Sequence, residues 1–523
     1  MQGDKNMQFK IVDKSARMAI IEILDNGRYY TDREYNIAVN GKVVLTSKKV
    51  VTSIYNLLPN TEYTIEVIDG DVVTKEVVKT DKEFVTLNVK DFGAKGDGVN
   101  NDTTYIQTAI LACPKDSRVL IPAGNYNITS IFLKDNVNIE LAKGAKLQAL
   151  TDRNLFPILP GIIQSYDEND EYNLGTWEGN PIDMFAGIIT GIGVKNVRIY
   201  GEGTIDGCAS KENWWNNPKV KNIAFRPRQI YLNNCENVTV SGITVKNSPS
   251  WNLHPYFSKD LKFIDLQILN PADSPNTDGL DPESCDNVLI LGVYFSLGDD
   301  CIAVKSGKIY MGAKYKKPCS NIVIRQSCMR DGHGAITIGS EMAGGVNNLI
   351  VKDCLFMNTD RGLRIKTRRG RGKDAIIDGI VFENLTMDNV MTPFVINSFY
   401  YCDPDGHTEY VRTKEELAVD ERTPEIKTLE FRNIKATNCH VAAAFMYGLP
   451  EKKIEKVVFD NVDISFTENP QSGVPAMMEG VDEMTKAGLF ANNITTLEIN
   501  NLTISGYNGE KEMIDNVDNL IRK

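Results

Sequence analysis

The pattern that decides the fold is Asn237-Val238-Thr239-Val240-Ser241-Gly242, which returns further along the chain as Asn287-Val288-Leu289-Ile290-Leu291-Gly292. Each copy is a short run rich in β-branched and aliphatic residues between an asparagine and a glycine, and both flanking residue types favour turns. The copies recur at irregular intervals of roughly two to four dozen residues, which is typical of a solenoid with loops of varied length. Further copies of the apolar run begin at Asn321, Asn348, Gly379, Thr428, Lys456 and Thr496.

The repeating unit is a triplet of short strands rather than a pair of helices or a hairpin. An α-solenoid is excluded because no helical period of apolar residues survives more than about one turn. A β-sandwich is disfavoured because the repeats do not form hairpins. The sequence therefore predicts an all-β fold over residues 86–523, a right-handed parallel β-helix whose rungs stack along one axis.

Residues 1–85 differ in character and predict a small β-sandwich. The stretch 58–67 resembles the tyrosine-corner strand of fibronectin type III domains. We expect a spacer or folding partner for the helix, because no row of aromatic residues suggests a sugar-binding face. The β-rich runs that support a sandwich lie at residues 19–24, 35–39 and 72–78.

Two kinds of segment interrupt or precede the repeat. A helix is predicted from Asp102 or Thr103 to about Cys113, where it would cover unpaired backbone at the open end of the solenoid. Two polar stretches, residues 151–188 and 400–423, carry aromatic residues and turn formers. Long insertions in a compact solenoid are usually functional, so we expect them to form the walls of a groove.

Composition excludes several classes of function. The formal net charge of −11 argues against a nucleic acid as partner, since phosphate binding requires a basic surface. No run of about 18 apolar residues is present, so no membrane span is expected. Residues 1–10 show no secretory signal, which predicts a cytoplasmic location, or a secreted protein if a leader has been removed. The ten cysteines form no metal-binding pattern.

Four short motifs supply the candidate chemistry. They contain three carboxylates, one imidazole and two fixed positive charges. Carboxylates suit bond cleavage by general acid/base catalysis, and an Arg/Lys pair suits an anionic substrate. Each motif alone is common in turns and solvated strands, so their joint occurrence in successive rungs carries the prediction. The motifs are Asn276-Thr277-Asp278-Gly279, Gly298-Asp299-Asp300, Gly332-His333-Gly334 and Arg364-Ile365-Lys366.

This set of motifs and its order resemble glycoside hydrolase family 28, the polygalacturonases, over about residues 86–510. The segment 88–98 also resembles the entry of pectin-degrading β-helix enzymes. The resemblance implies hydrolysis of homogalacturonan or oligogalacturonides with inversion at the anomeric carbon, without a metal or other cofactor. Because crowded carboxylates cannot all ionise, one is expected to keep its proton and act as an acid.

The resemblance also assigns a role to each motif residue. Asp299 matches the general acid, and Asp278 and Asp300 match the pair that positions and activates water. His333 matches a residue that maintains the acid's hydrogen bonding and protonation. The residues that match substrate contacts are Arg364 and Lys366, which would grip the sugar carboxylate, and Asn276, an amide near the substrate.

Other residues are weaker candidates for substrate contacts. Arg226, Arg228, Trp251 and His254 lie in segments that resemble those lining the groove of the family, although Trp251 equally suits a core. The basic run 368–373 is typical of a solvated loop, and its position directly after Lys366 also favours a role in holding further uronates.

The sequence favours exo-acting hydrolysis from the non-reducing end of the polymer. The long insertions, a fibronectin-like leader of the kind found in exo-acting bacterial relatives, and the lack of a signal all point this way. So does Gly298, where many endo-acting members carry glutamine. An endo-polygalacturonase, a rhamnogalacturonan or xylogalacturonan hydrolase, a pectate lyase and a non-enzymatic carbohydrate-binding solenoid remain alternatives. The sequence predicts no oligomeric state.

Overall fold

The computed structural model describes residues 7–164 and 171–523, and these form two β-rich parts. Residues 1–6, inspected above for a signal, and residues 165–170 of the first insertion lie outside the described residues. The N-terminal part contains two antiparallel sheets that pack as the predicted sandwich. Its strands are Phe9–Lys14, Ala19–Ile23 and Val51–Ile54 in one sheet, and Tyr30–Val39, Lys42–Lys49, Glu62–Asp69 and Val72–Lys79 in the other.

The tyrosine corner expected in this part is present. The hydroxyl of Tyr63 accepts a hydrogen bond of 2.9 Å from the backbone N–H of Leu58, five residues upstream. A tyrosine bonded back to the chain in this way is a hallmark of immunoglobulin-like and fibronectin-like sandwiches. The antiparallel strands end at Lys79, and the first strand of the second part begins at Thr86.

The second part is the predicted parallel β-helix, and each strand pairs with its counterpart one rung further on. One face, called the groove face below, carries Ile131–Phe132, Ile189–Ile192, Ile230–Asn233, Leu253–Tyr256, Ile302–Val304, Ile336–Gly339, Arg361–Lys366, Thr392–Asn397 and Ala442–Tyr447. The second face carries Thr86–Asn88, Arg118–Ile121, Val137–Leu141, Lys195–Gly201, Glu236–Ser241, Lys259–Ile264, Asp286–Leu291, Cys319–Arg325 and Val346–Lys352. The third face carries Asp97–Asn101, Gly124–Ile128, Ala145–Ala149, Thr204–Asp206, Thr244–Lys246, Gln267–Leu269, Tyr294–Ser296, Cys328–Arg330 and Leu355–Met357.

Later rungs merge these faces into longer strands, and short elements decorate the loops. The long strands are Ile376–Asp388, Thr428–Cys439, Ile454–Phe466, Ala487–Ser505 and Glu512–Arg522. The short strands are Ile158–Leu159, Ile162–Gln164, Glu171–Asn173, Met184–Phe185 and Glu425–Ile426. The α-helices are Thr103–Ala112, Ile309–Tyr315 and Glu409–Arg412, and the 3₁₀ turns are Val89–Phe92 and Arg153–Leu155.

The asparagine of the repeat makes the corner of each rung. Asn237, Asn321 and Asn348 have φ angles of 54°, 55° and 55°, a left-handed conformation that asparagine tolerates better than most residues. Their side-chain amides also bond from rung to rung: Asn237 donates to Asn196 at 2.8 Å, and Asn348 donates to Asn321 at 3.2 Å. The repeat therefore marks a turn and a stacking contact at once.

Apolar side chains fill the interior of the helix along its whole length. Tilted aromatic rings pack there from rung to rung, with centroids 4.4 Å apart for Phe394 and Phe431 and 5.2 Å apart for Phe431 and Phe459. The predicted helix Thr103–Ala112 is present and packs against the first rungs through Ile106, Ala109 and Ile110. No helix within residues 7–164 and 171–523 is long and apolar enough to cross a membrane.

The N-terminal part docks on the flank of the β-helix. Tyr200, Ile264 and Leu291 project from the helix and join the hydrophobic core of the sandwich. Asp265 accepts hydrogen bonds from the backbone and side chain of Ser53, at 3.0 and 2.7 Å. A side chain on Gly292 would place its Cβ 2.5 Å from Val51, so glycine permits the close approach. The two parts thus share one packed interface.

Candidate active site

The four motifs lie on consecutive rungs of the groove face, as predicted. Asp299 and Asp300 occupy the turn that precedes strand Ile302–Val304, and His333 occupies the equivalent turn before Ile336–Gly339. Arg364 and Lys366 are alternate residues of strand Arg361–Lys366, so they point to the same side of the sheet. The stacking of rungs, rather than proximity in sequence, brings these groups together.

The three acids form one tight cluster. Oxygen atoms of Asp278, Asp299 and Asp300 all lie within 4.8 Å of one another. Asp278 and Asp300 are only 4% and 1% exposed, whereas Asp299 is partly open to solvent. The backbone N–H of Asp300 donates to Asp299 Oδ1 at 2.9 Å, which fixes the two neighbours relative to each other. Asp299 is thus the member of the cluster that a substrate reaches first.

The two buried acids have opposite electrostatic environments. Burial, together with the charges of Asp281 and Asp299, raises the pKa of Asp278 well above its usual range. Burial also opposes ionisation of Asp300, but Lys366 and Arg364 outweigh it and lower the pKa of that carboxyl. Asp300 is therefore held ionised, and Asp278 readily takes a proton. The assignment of the catalytic proton to Asp299 stays a prediction.

Arg364 and Lys366 clamp the buried acid as well as facing the groove. Arg364 Nη1 donates to Asp300 Oδ1 at 3.2 Å, and Lys366 Nζ donates to Asp300 Oδ2 at 3.0 Å. The ammonium group of Lys366 also lies 5.7 Å from the ring centroid of Tyr400. Arg364 and Lys366 therefore hold Asp300 as an anion. Their predicted contact with a sugar carboxylate would be a second interaction of the same side chains.

His333 stands at the mouth of the site. Its backbone N–H donates to the carbonyl of Asp299 at 3.0 Å, and its Nδ1 donates to Asp360 at 2.8 Å. The hydrogen bond to Asp360 raises the pKa of His333, with burial opposing the shift. Asp360 was not predicted from the sequence. Its only signal was its place in the rung, directly before a groove-face strand.

The weaker candidates lie beneath the groove. Arg228, Trp251 and His254 are buried, and the Arg228 guanidinium sits 4.1 Å from the centroid of Trp251. His254 contacts Glu283 at 2.9 Å. The structure gives these residues supporting positions, and their contact with substrate stays a prediction.

Arg226 and Asn276 pair with each other nearer the acids. Arg226 Nη2 donates to the amide oxygen of Asn276 at 2.6 Å, and its Nη1 donates to the carbonyl of Pro249 at 2.7 Å. Arg226 is buried, whereas Asn276 is partly exposed. The pair therefore orients the Asn276 amide, and its predicted contact with substrate remains untested.

The basic run at 368–373 is a structural anchor. Its arginines are buried rather than solvated, so the expectation of a solvated loop is wrong for them. Arg368 and Arg371 bind Asp403 at 3.2 and 2.6 Å, and Arg369 makes two hydrogen bonds to Glu451. Because buried arginines need paired carboxylates, the run ties the second insertion, residues 400–423, to the helix.

A third covering segment, residues 467–486, was missed from the sequence. Its Val474 and Pro475 carbonyls accept hydrogen bonds from Arg361 at 2.8 and 3.3 Å. Met477 Sδ lies 2.7 Å from Arg364 Nη2. Ala476 and Met478 pack on groove-face residues of the following rungs. This segment therefore covers the groove face beyond Arg364.

The three covering segments are joined in a chain of contacts that we call the rim. It begins where the backbone N–H of Lys308 donates to Gly179 of the first insertion at 3.2 Å, while Lys308 Nζ pairs with Asp403 at 3.0 Å. It continues through His407 and Glu479, whose side chains are 2.6 Å apart. Arg361 and Asp360 complete the rim beside His333. The rim thus leads from one insertion to the next and back to the acid cluster.

The acid cluster also has the spacing of a cation site. Among the described residues, Asp278, Asp299 and Asp300 are close enough to hold a metal ion together. However, Arg364 and Lys366 already contact both oxygens of Asp300. These side chains satisfy the most acidic member of the cluster, which favours proton chemistry at this site.

Comparisons with known proteins cover most of the chain. Residues 116–479 match the family described as Glycosyl hydrolases family 28. The chain is 31% identical over 387 residues to a probable polygalacturonase of Vitis vinifera, covering 72% of this chain and 74% of that protein. Other relatives carry the names of endo-acting and of exo-acting polygalacturonases.

Solved structures resemble the fold along most of its length. An exopolygalacturonase of Thermotoga maritima superimposes with a TM-score of 0.65 at 25% identity, covering 80% of this chain and 92% of that one. A family 28 exopolygalacturonase of Yersinia enterocolitica gives a TM-score of 0.73 at 19% identity, covering 98% of this chain and 99% of that one. The second match spans the N-terminal part as well as the helix.

Proposed function

The chain belongs to glycosyl hydrolases family 28, and on that premise we propose that it is an exo-acting polygalacturonase. It would hydrolyse α-1,4-galacturonosyl linkages from the non-reducing end of galacturonan or oligogalacturonides. The names of its relatives support the substrate class, and Arg364 and Lys366 supply the charge that an acidic sugar requires. Both endo and exo names occur among the relatives, so the mode of action rests on the shape of the site.

The observation that carries the exo proposal is the cover on both sides of the acid cluster. On one side, Trp177 of the first insertion stacks on Phe225 and Trp251, with centroids 4.8 and 6.4 Å away. On the other side, Met477 lies against Arg364. A long polymer laid along the groove face would have to displace both covers. A chain end can instead enter from the open side of Asp299 and His333.

The cluster would cleave the bond by general acid/base catalysis. Asp299 would donate a proton to the leaving glycosidic oxygen as the bond to the anomeric carbon breaks. Asp300, already ionised, would accept a proton from the attacking water, which Asp278 helps to position. A proton shared between Asp278 and Asp299 would be delivered from Asp299, the member open to the groove.

Viscosity measurements test the mode of action. An exo enzyme removes short products from chain ends, so the viscosity of polygalacturonate should fall slowly relative to the release of reducing ends. One short product should appear throughout. A rapid fall in viscosity with a mixture of oligomers would contradict the proposal.

A variant with a shortened covering segment tests whether residues 467–486 restrict the products. Gly473 and Met484 are joined by two backbone hydrogen bonds of 3.1 and 2.8 Å, so residues 474–483 can be replaced by a short glycine link. We expect this variant to give longer and more varied products. Its activity on a short oligogalacturonide is the control that the helix remains folded. An unchanged product pattern in an active variant would show that this segment does not restrict the substrate.

The stereochemistry of the product is a second test. Inverting enzymes with two carboxyl groups usually hold them about 6.5–9.5 Å apart, and retaining enzymes hold them about 5–5.5 Å apart. The oxygens of this cluster lie within 4.8 Å of one another, so the expectation of inversion rests on the family to which the chain belongs rather than on this spacing. We expect inversion, measured by NMR of the anomeric proton in the first minutes of reaction. Retention would require a covalent intermediate and a different role for one acid.

A further inference from the structure

A buried lysine lies directly beneath the acid cluster and belongs to none of the predicted motifs. Lys305 follows strand Ile302–Val304, and its side chain is 5% exposed. Its ammonium nitrogen is 3.2 Å from Glu341, 3.6 Å from Asp281 and 3.9 Å from Asp278. The ring of Trp251 lies 4.1 Å away on another side. One ammonium group therefore lies within 4 Å of three carboxylates.

Asp281 makes this arrangement unusual. It is fully buried, and neither of its carboxylate oxygens has a hydrogen-bond partner among the described residues. A buried carboxylate without hydrogen bonds is costly unless a positive charge lies near it. Lys305 is that charge, and within the described residues it is also the one basic side chain within 4 Å of Asp278. Lys305 thus couples Asp278 to the acids below it.

Other charged groups surround the same space. Asp278 faces Asp281, Asp299, Asp300 and Lys305. The further charged or titratable groups that face Lys305 are Glu341, Glu283, Glu178 and His254. Arg228 binds His254 and Ser250 rather than the acids. Lys305 therefore supplies the nearest positive charge on the buried side of Asp278.

From this geometry we propose that Lys305 is a positioning residue, whose ammonium group offsets the negative charge around Asp278 and so leaves the proton that Asp278 shares with Asp299 available to Asp299. Lys305 touches no reacting atom and acts through Asp278. The idea rests on the proposed acid role of Asp299. Without Lys305, burial and the charge of Asp281 would draw the proton to Asp278, where it cannot reach the leaving oxygen.

The test uses the pH dependence of kcat in the full-length protein. Lys305→Met should lower kcat on an oligogalacturonide about 10- to 100-fold, with KM changed less than about threefold. Removing a positive charge favours protonation of the acids, so the acid limb of the pH profile should move to higher pH by about one unit. Lys305→Arg keeps the charge, so its acid limb should stay at the wild-type pH even if kcat falls.

A compensating substitution separates charge from packing. Asp281→Asn removes a negative charge beside Asp278, so it should return the acid limb of Lys305→Met towards lower pH. In the otherwise wild-type protein it should move the limb below the wild-type position. Lys246→Met is the control, since Lys246 pairs with Asp206 away from the acid cluster, and it should leave the profile unchanged.

Each result decides the proposal. The proposal is overturned if the acid limb of Lys305→Met stays at the wild-type pH. It is also overturned if adding Asp281→Asn to Lys305→Met does not move the limb back to lower pH. If Lys305→Met does not fold, Asp281→Asn alone decides, because an unmoved limb there would also overturn it. The pH profiles of the variants and the wild type can be compared on any glycan that the wild-type protein hydrolyses. A wild type inactive on galacturonides would instead refute the proposed function.

Discussion

Asp299→Asn is expected to lower kcat about 10²–10⁴-fold while the substrate still binds, the range that general acid catalysis contributes. The amide has nearly the shape of the carboxyl group but cannot donate a proton to the leaving oxygen. Asp299 is the partly exposed member of the cluster, and its carboxylate also accepts the backbone N–H of Asp300. An amide oxygen can keep that bond, so the turn should survive the change.

The measurement combines steady-state kinetics with binding. A trigalacturonide should bind Asp299→Asn with a Kd close to the wild-type KM. Asp331→Asn is a matched control, because Asp331 is an aspartate of the next rung and bonds to Ser296 outside the cluster. It should retain wild-type kcat. If Asp299→Asn keeps activity within a few-fold of wild type, another group supplies the proton.

Arg364→Ala should lower kcat/KM on polygalacturonate about 10²–10⁴-fold, because the side chain makes two charged interactions. It binds Asp300 in the free enzyme, and it is proposed to bind the sugar carboxylate in the complex. Each charged hydrogen bond contributes about 1.5–3 kcal/mol, and each 1.4 kcal/mol corresponds to about tenfold. Loss of the guanidinium also raises the pKa of Asp300, whose ionised form is needed, so the acid limb of activity should move to higher pH.

Methyl-esterified substrate separates the two interactions. Esterification removes the sugar carboxylate, so the wild type should lose much of its activity. Arg364→Ala should lose less from esterification, since the same pairing is already absent. Arg330→Ala is the control, because Arg330 pairs with Asp331 outside the groove and should respond to esterification as the wild type does. If Arg364→Ala loses as much as the wild type, Arg364 does not read that carboxylate.

The rungs and the acid cluster could be predicted from the sequence because their signals are local. An asparagine such as Asn237 marks a corner by its tolerance of positive φ, and a glycine such as Gly292 marks the turn at the other end of the apolar run. Once the rungs are counted, Asp278, Asp299 and Asp300 must lie on neighbouring turns. The position of the candidate catalytic residues therefore followed from the repeat.

The groups that connect one segment to another could not be predicted in this way. Lys305 meets Asp281 and Glu341 across rungs, and nothing in its local sequence identifies these partners. The segment 467–486 reads as an ordinary polar loop, and its cover over Arg364 depends on the path of the chain. The expectation of a solvated loop at 368–373 was wrong for the same reason, since the partners of its arginines, Asp403 and Glu451, lie in other loops.

The docking of the N-terminal part has a consequence for how such proteins can be recombined. Tyr200, Ile264 and Leu291 are surface positions of the helix that belong to the sandwich core. Removing the sandwich would leave these three side chains in water, and transplanting it onto another helix would require apolar residues there and a glycine at position 292. The sequence changes character near residue 85. Because the two parts share a hydrophobic core, however, we expect them to be exchanged between proteins only together.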